Sequence, residues 1–318
     1  MIFDNDYTRL SVAIDVRKNR LDKFLAEALD GVSRSRIQSL VKSGFVLVNN
    51  LTTLDAGQPL KMRDEIVVHW QPKIENTELQ SDKDVEFSII YEDDDLMVVY
   101  KPAGVVVHPG AGNHSHTLAN GLAYHCNLSS NGSRSGIVHR LDKNTSGILV
   151  TAKNNFTHDA LGGQFQCHSI RRKYICFCYS TINPAEGKIE TLISRDRDHR
   201  TKMAVSGERG KLAISHYRTL KKFSTFASKV ECELFTGRTH QIRVHLSHLG
   251  NSLIGDATYS VKNYFVPENI RKYVKNFPRQ ALHAYFLEFI HPRSGKTMNF
   301  TQDMPEDMVA LEKILDSA

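Results

Sequence analysis

The spacing of apolar residues along the chain changes period several times, and each change marks an element. From Arg20 onward Leu21, Phe24, Leu25, Ala28 and Leu29 recur three and four positions apart, which predicts an amphipathic helix. Ser33 suits the N-cap of a second helix carrying Ile37, Leu40 and Val41, and Gly44 suits its end. The chain then turns β-rich over Phe45 to Val48 and again over Glu65 to Val68, with Asn49-Asn50 supplying turn chemistry. The order helix, helix, strand, strand predicts a small module over residues 1–70 with its core at 20–70. Gln71 to Glu86 is polar, carries Pro72 and keeps no period, which predicts a linker over 71–86 and a second domain over 87–318.

In that second stretch Ser88 to Tyr91 and Leu96 to Tyr100 read as strands around an Asp93-Asp94-Asp95 turn. A calcium loop would need a glycine and a glutamate at offsets that are missing. Further strands are expected at Ile148 to Ala152, Arg171 to Tyr179 and Lys229 to Phe235, where Val230, Cys232 and Leu234 alternate with Glu231 and Glu233. Phe156, Ala160 and Phe165 predict one helix; Ile242, Leu246 and Leu249 predict another that starts after Thr239 and stops at Gly250. Because strands do not alternate strictly with helices, the fold class expected is α+β with a largely antiparallel or mixed sheet flanked by helices.

Length and charge narrow the function. A chain of 318 residues favours two domains. No apolar run approaches the roughly 20 residues of a membrane span. Met1 to Leu10 lacks the apolar centre and cleavage site of a secretory signal, so a cytoplasmic protein is expected. Five cysteines, odd in number and without C-x-x-C spacing, read as reduced and mostly buried thiols. The net charge of +6 suits a polyanionic partner or simply a solvated basic surface. On the second helix Arg34, Arg36 and Lys42 lie off the apolar stripe, as phosphate contacts or as an ordinary outer face.

The richest stretch chemically runs from Gly136 through His139-Arg140-Leu141-Asp142 to Val150, a polar loop bounded by glycines between two apolar strands. Loops held by rigid strands are favoured places for reactive groups. Asp142 there serves either as a turn residue or as a reactive carboxylate. Tyr174 alternates with Ile175 along its strand, so its ring either lines a pocket or fills the core. His139, His240 and His245 keep company with Arg and Gln rather than Cys or Glu, which gives no recognisable zinc spacing, and no metal is expected.

Two resemblances sharpen this reading. Arg20-Leu-Asp-Lys-Phe-Leu, Ser33-Arg-Ser-Arg-Ile and Gly44-Phe-Val-Leu-Val-Asn49 resemble an S4 RNA-binding domain, which implies RNA as partner and Arg34, Arg36 and Lys42 as contacts. His139-Arg140-Leu141-Asp142 with its flanks resembles the signature of the RluA-type pseudouridine synthases. Lys101-Pro102, Val107-His108-Pro109-Gly110, Arg172-Lys173-Tyr174, Thr236 to His245 and Arg279 to Ala284 agree in order along the chain. His199 to Val205 together with the S4-like module points to the RluD branch, which acts on large-subunit (23S) ribosomal RNA. His116, Asn251-Ser252 and Ser260 depart from the family pattern, which bears on target preference.

The resemblance implies a pseudouridine synthase fold and isomerisation of uridine in RNA. The N1 to C1′ bond breaks, the uracil turns in place and C5 rejoins the sugar, with no net redox change or hydrolysis, so no cofactor is expected. It further implies Asp142 as the essential carboxylate, Arg238 as its partner, and Tyr174 as a stacking ring that removes the C5 proton. Arg140 would fill the gap left by a flipped base, Ile254 would pack on the uracil, and His139 and Leu141 would flank the substrate. A monomer is expected. The rivals are a glycoside-type hydrolase pairing Asp142 with Asp256 or Glu233, a non-catalytic S4-containing protein of ribosome assembly, and a synthase for another rRNA or tRNA.

Overall fold

The computed structural model describes residues 3–4, 7–12, 20–29, 32, 34–69, 79–110, 112–126, 136–196, 198–199, 202–260 and 264–318. They fall into two units, one ending at Glu78 and one beginning at Leu79.

The first unit runs β1 (Phe3–Asp4), β2 (Tyr7–Ser11), α1 (Leu21–Ala28), α2 (Arg34–Lys42), β3 (Val46–Val48), β4 (Leu51–Thr52) and β5 (Glu65–His69). Its sheet has the order β1-β2-β5-β3-β4. The expected helices and strands are present, and β2 adds a strand that the pattern did not announce. Leu21, Leu25, Ile37, Leu40 and Val41 meet Val46, Val48, Ile66 and Val68 in one core, as the helical and two-residue periods require. Asn49 and Asn50 take φ of 53° and 64°, the left-handed conformation that a tight β3–β4 hairpin needs and that Asn tolerates. Ser33 and the side chain of Arg36 lie outside the described residues.

Leu79 onward belongs to the second unit. Its elements are β6 (Ser88–Glu92), β7 (Leu96–Lys101), α3 (Leu118–His125), β8 (Ser146–Ala152), α4 (Asn155–Gln166), β9 (Arg171–Tyr179), β10 (Glu186–Arg195) and β11 (Met203–Ser206). They continue with β12 (Lys211–Phe223), β13 (Ala227–Leu234), α5 (Gln241–His248), α6 (Glu268–Lys275), β14 (Leu282–Ile290), β15 (Thr297–Thr301) and α7 (Glu306–Asp316). The sheet runs β11-β10-β12-β13-β9-β14-β8-β7-β6, with β15 beside β14. Its pairings are antiparallel except β14 with β8, which makes the sheet mixed.

Helices cover both faces, so the central strands are buried on both sides. Tyr174, Cys176 and Cys178 of β9 share a core with Met97, Val99, Leu149, Ile242 and Leu246. Ile175, Phe177 and Tyr179 point the other way, onto Ile270 and Val274 of α6 and Met308 and Leu311 of α7. Truncating a side chain as buried as Leu149 costs roughly 2–5 kcal/mol.

One expectation needs correction. Residues 79–86 are not linker: the Asn120 side chain donates to the Gln80 carbonyl at 2.7 Å, Asp82 N–H donates to the Asn120 carbonyl at 3.1 Å, and Val85 is buried. Their polar composition serves hydrogen bonding to α3. In α4, Phe156 is exposed and Leu161 is the core residue. The cysteines are free and mostly buried, as expected: Cys176, Cys178 and Cys232 are buried, Cys126 is half-buried and Cys167 is exposed. The acidic turn clamps two hairpins: Asp93 takes Tyr91 Oη at 2.8 Å and His291 at 2.9 Å, while Asp95 takes Arg293 through two bonds of 2.6 Å. No helix among the described residues is long and apolar enough to cross a membrane.

Candidate active site

Asp142 follows the peptide that leads into β8, and its turn is fastened from three directions. Thr145 N–H donates to the Asp142 carbonyl at 3.0 Å, closing the turn. Lys101, fully buried at the end of β7, donates from Nζ to the carbonyls of Pro102 and Val105 at 2.8 Å each and of Lys143 at 3.0 Å. Burial pushes the Lys101 pKa down to about 7, while Asp142 pulls it up and Arg279 lowers it further. Arg279 donates from Nη1 to the Asn144 carbonyl at 3.2 Å and from Nε and Nη2 to Asp307, and Gln280 Nε2 donates to Thr145 Oγ1 at 3.1 Å. Gly147 at φ 133° lets β8 run against β14, since a Cβ there would lie 2.3 Å from the Ala284 carbonyl oxygen.

The loop opens onto a cleft of about 1250 Å³ whose walls include Arg140, Leu141, Asp142, Tyr174, Ile242 and Arg243. Asp142 Oδ2 accepts from Arg243 Nη1 at 3.1 Å. Among the described residues nothing bonds to Oδ1. Arg243 turns its other edge to Asp256, with Nε at 2.7 Å and Nη2 at 2.9 Å, and its guanidinium carbon lies 5.0 Å from the Tyr259 ring centre. Burial opposes the Arg243 charge, but the Asp256 and Asp142 carboxylates outweigh it and raise the pKa. Tyr259 Oη accepts Met203 N–H at 2.8 Å and meets His240 Nδ1 at 2.9 Å, so β11, His240 and the arginine share one brace.

The partner of Asp142 is therefore Arg243 and not Arg238. Arg238 precedes α5 on the rim of the cleft, where its Nε donates to the Leu212 carbonyl at 2.8 Å. Arg243, in the helix itself, projects inward with a side chain only 7% exposed. Ile254 is likewise misplaced by the sequence reading. It is fully buried among Ile175, Phe177 and Ile270, on the side of β9 opposite Tyr174, and it does not line the cleft. Its N–H bonds the Phe177 carbonyl at 2.9 Å, which aims its side chain away. Leu141, Leu234, Ile242 and Leu282 are the apolar wall instead.

The other expected residues sit on the cleft. Arg140 is exposed at its lip, and Leu141 is buried beneath it. Tyr174 is buried at the wall, and burial raises its pKa, with Arg172 pulling the other way and Asp142 adding to the rise. His139 accepts Val150 N–H on Nε2 at 3.0 Å and packs 4.6 Å from the Phe165 ring; burial pushes its pKa down to about 3, so it is a neutral brace. In the first unit Arg34 bonds Asp22 through Nε and Nη2, leaving it half exposed, while Lys42 is exposed. His116, a departure from the family pattern, holds φ 56°, a conformation that glycine adopts freely.

The residue pattern gave no role to Lys101, Arg243, Arg279 or Tyr259, and offered Asp256 only as the second acid of a hydrolase. Only the fold shows that Lys101, Arg243 and Arg279 converge on one turn, with Asp256 and Tyr259 bracing Arg243 behind it. Among the described residues the cleft wall carries Arg140, Lys143, Arg172, Arg238, Arg243 and Arg279 against a single carboxylate, Asp142. Such a wall attracts a polyanion.

Known proteins resemble both units of the chain. Residues 95–248 match the model of the RNA pseudouridylate synthase family, and residues 19–66 match the S4 domain. The ribosomal large subunit pseudouridine synthase D of Zymomonas mobilis is 43% identical over 93% of this chain and 93% of its own. Its namesake from Neisseria meningitidis serogroup B is 41% identical over 96% of this chain and 81% of its own. Among solved structures, human RNA pseudouridylate synthase domain containing 4 superposes with a TM-score of 0.58 at 24% identity, covering 72% of this chain and 92% of that one.

Proposed function

The chain belongs to the RNA pseudouridylate synthase family, and on that premise we propose that its cleft converts uridines of large-subunit ribosomal RNA to pseudouridine, with Asp142 as the reacting carboxylate. The observation that carries the proposal is the division of labour at Asp142: one oxygen is pinned by Arg243 and, among the described residues, the other is unengaged on the wall of a cleft with ample room for a nucleotide. The guanidinium keeps the carboxylate ionised and oriented, and the free oxygen is left to attack or deprotonate the ribosyl unit.

A uridine in a stem or stacked loop reaches Asp142 only by leaving the stack, at a cost of a few kcal/mol. Arg140 at the lip fills the space it vacates. The extruded uracil lies between the Tyr174 ring and the apolar wall of Leu141 and Ile242, which retains the detached base and keeps water off the sugar. Once C5 has joined the sugar, Tyr174, a neutral phenol, relays the C5 proton by accepting it as its own hydroxyl proton passes to solvent, and N1 takes up a proton in exchange. The bond broken and the bond formed balance without redox or water, so the reaction calls for no cofactor. The S4 module, residues 1–70, supplies phosphate contacts through Lys42 and the exposed half of Arg34, and one copy in the cytoplasm suffices.

Among the described residues the hydrolase reading lacks a second acid. Asp256 has both oxygens occupied by Arg243 and also accepts Thr258 N–H at 3.0 Å, and Glu233 pairs with Arg171 at 3.0 Å away from the cleft lining. Large-subunit rRNA labelled with tritium at uridine C5 tests the proposal. Tritium release with pseudouridine at discrete positions is expected. Free uracil, or no release, would contradict it.

A further inference from the structure

Arg172 stands apart from the other buried arginines of the cleft. Arg243 faces Asp142 and Asp256, and Arg279 faces Asp307, but among the described residues no carboxylate bonds to Arg172. It is 8% exposed. Its Nε is buried without an acceptor, and its one hydrogen bond is from Nη2 to the Leu234 carbonyl at a long 3.4 Å. The Phe165 ring, 5.2 Å from the guanidinium carbon, gives partial compensation. A buried cation left in this state is unfavourable unless something else in the working complex neutralises it.

The direction in which it is open identifies that partner. Arg172 and Tyr174 are two apart on β9 and so emerge on the same face, toward the cleft that both line. Across from it stands Gly237, exposed on the same wall, where even a Cβ would approach Nη1 to 3.0 Å. Glycine there puts no side chain beside Nη1 on the cleft side. The uracil ring is neutral, and the only full negative charges RNA brings are its phosphates.

We propose that Arg172 and the open wall at Gly237 form a phosphate subsite, binding one phosphodiester of the strand that carries the target uridine and so fixing the register of that nucleotide beside Tyr174. The subsite rests on the reading of the cleft given above. It makes Arg172 a residue kept for RNA at the expense of the free protein, which separates it from a packing role.

The test is equilibrium binding of an RNA oligonucleotide centred on the modified uridine, with neutral methylphosphonate linkages placed one at a time. Wild-type protein should lose about 10- to 100-fold at one linkage near the target, the range of a charge-assisted hydrogen bond. Arg172→Gln should be weaker by a similar factor on unmodified RNA and lose nothing more at that linkage. Its salt dependence should fall by about 0.7–0.9 in the log-log slope. Arg172→Met, which keeps the stem's bulk and drops the charge, should unfold at the same or a higher temperature than wild type while binding as weakly as Arg172→Gln. The proposal is overturned if both variants respond to every linkage as wild type does, if binding is intact and only turnover falls, or if Arg172→Met melts lower. Should wild type neither bind nor convert the RNA, the reading of the cleft itself fails; should it convert the RNA with no linkage depending on residue 172, the subsite alone fails.

Discussion

Asp22 in the N-terminal unit and Asp142 in the larger one are both carboxylates set against arginine, and they have opposite uses. Asp22 is fully buried and both oxygens are spent: Arg20 takes them at 3.1 and 3.2 Å, Arg34 reaches Oδ2 at 2.9 Å and Gln38 at 2.7 Å. It ties the chain before α1 to α2. Asp142 has a single arginine on a single oxygen and a cleft beside the other. A carboxylate whose acceptors are saturated holds a fold together, whereas one pinned but not saturated retains capacity for chemistry. Asp256, saturated by Arg243, belongs with Asp22 although it lies one guanidinium away from the cleft.

The contrast is broken most severely at Asp142. Asp142→Asn should lower single-turnover pseudouridine formation by about 10³-fold or more, the scale of losing a reacting group, while its unfolding midpoint stays within a degree or two of wild type. Substantial residual turnover would place Asp142 in the same class as Asp22. Arg243→Met should be both slow and unstable, since it frees Asp142 and also strands the buried Asp256; a loss of roughly 3–5 kcal/mol is expected in denaturant unfolding of the larger unit. A variant that is slow yet fully stable would mean that Asp256 finds another partner.

Asp22→Asn should do the reverse of Asp142→Asn. With Arg20 and Arg34 half in water, the loss is limited to about 1–2 kcal/mol in the N-terminal unit, read by hydrogen exchange, with turnover on a short RNA unchanged. The same pair predicts a pH dependence. Burial raises the Asp22 pKa, but the Arg20, Gln38 and Arg34 bonds outweigh it and hold the carboxyl well below its usual range. A depressed folded value means that the stabilisation is complete above the ordinary carboxylate pKa of about 3.9 and is lost as pH falls below it. Asp22→Asn should remove that part of the acid sensitivity. The smallest effect is expected at Lys42, where Lys42→Gln should lower the log-log salt slope of RNA binding by about 0.7–0.9 and leave catalysis unmoved.

The elements that carry these two carboxylates were largely legible from residue spacing. Leu21, Leu25, Ile37 and Leu40 announce α1 and α2 because helix burial is periodic, and the alternation through β9 shows that Tyr174 and Cys176 share a face. Family resemblance led to Asp142, Tyr174 and Arg140, all of which line the cleft. It misplaced the arginine. Arg238 and Arg243 occupy one motif, and which of them turns inward depends on where α5 begins and on His240 taking φ 57°, a backbone setting no periodicity reveals. Ile254 failed for a related reason, since the segment holding it pairs with β9 at Phe177 and its side chain must then face away from Tyr174. The unpaired state of Arg172 could not be read at all, because it is defined by carboxylates distant in sequence that do not arrive.

The distance from Asp142 to the ribose of a bound target uridine tests the account most directly. In a structure of Asp142→Asn with a non-turning-over RNA stem-loop, the uridine should be extruded onto Tyr174. The side-chain atom that replaces Oδ1 should lie within about 3–3.5 Å of the reacting sugar, the separation of a near-attack geometry. RNA bound with that nucleotide still stacked, or with residue 142 remote from the sugar, would contradict it.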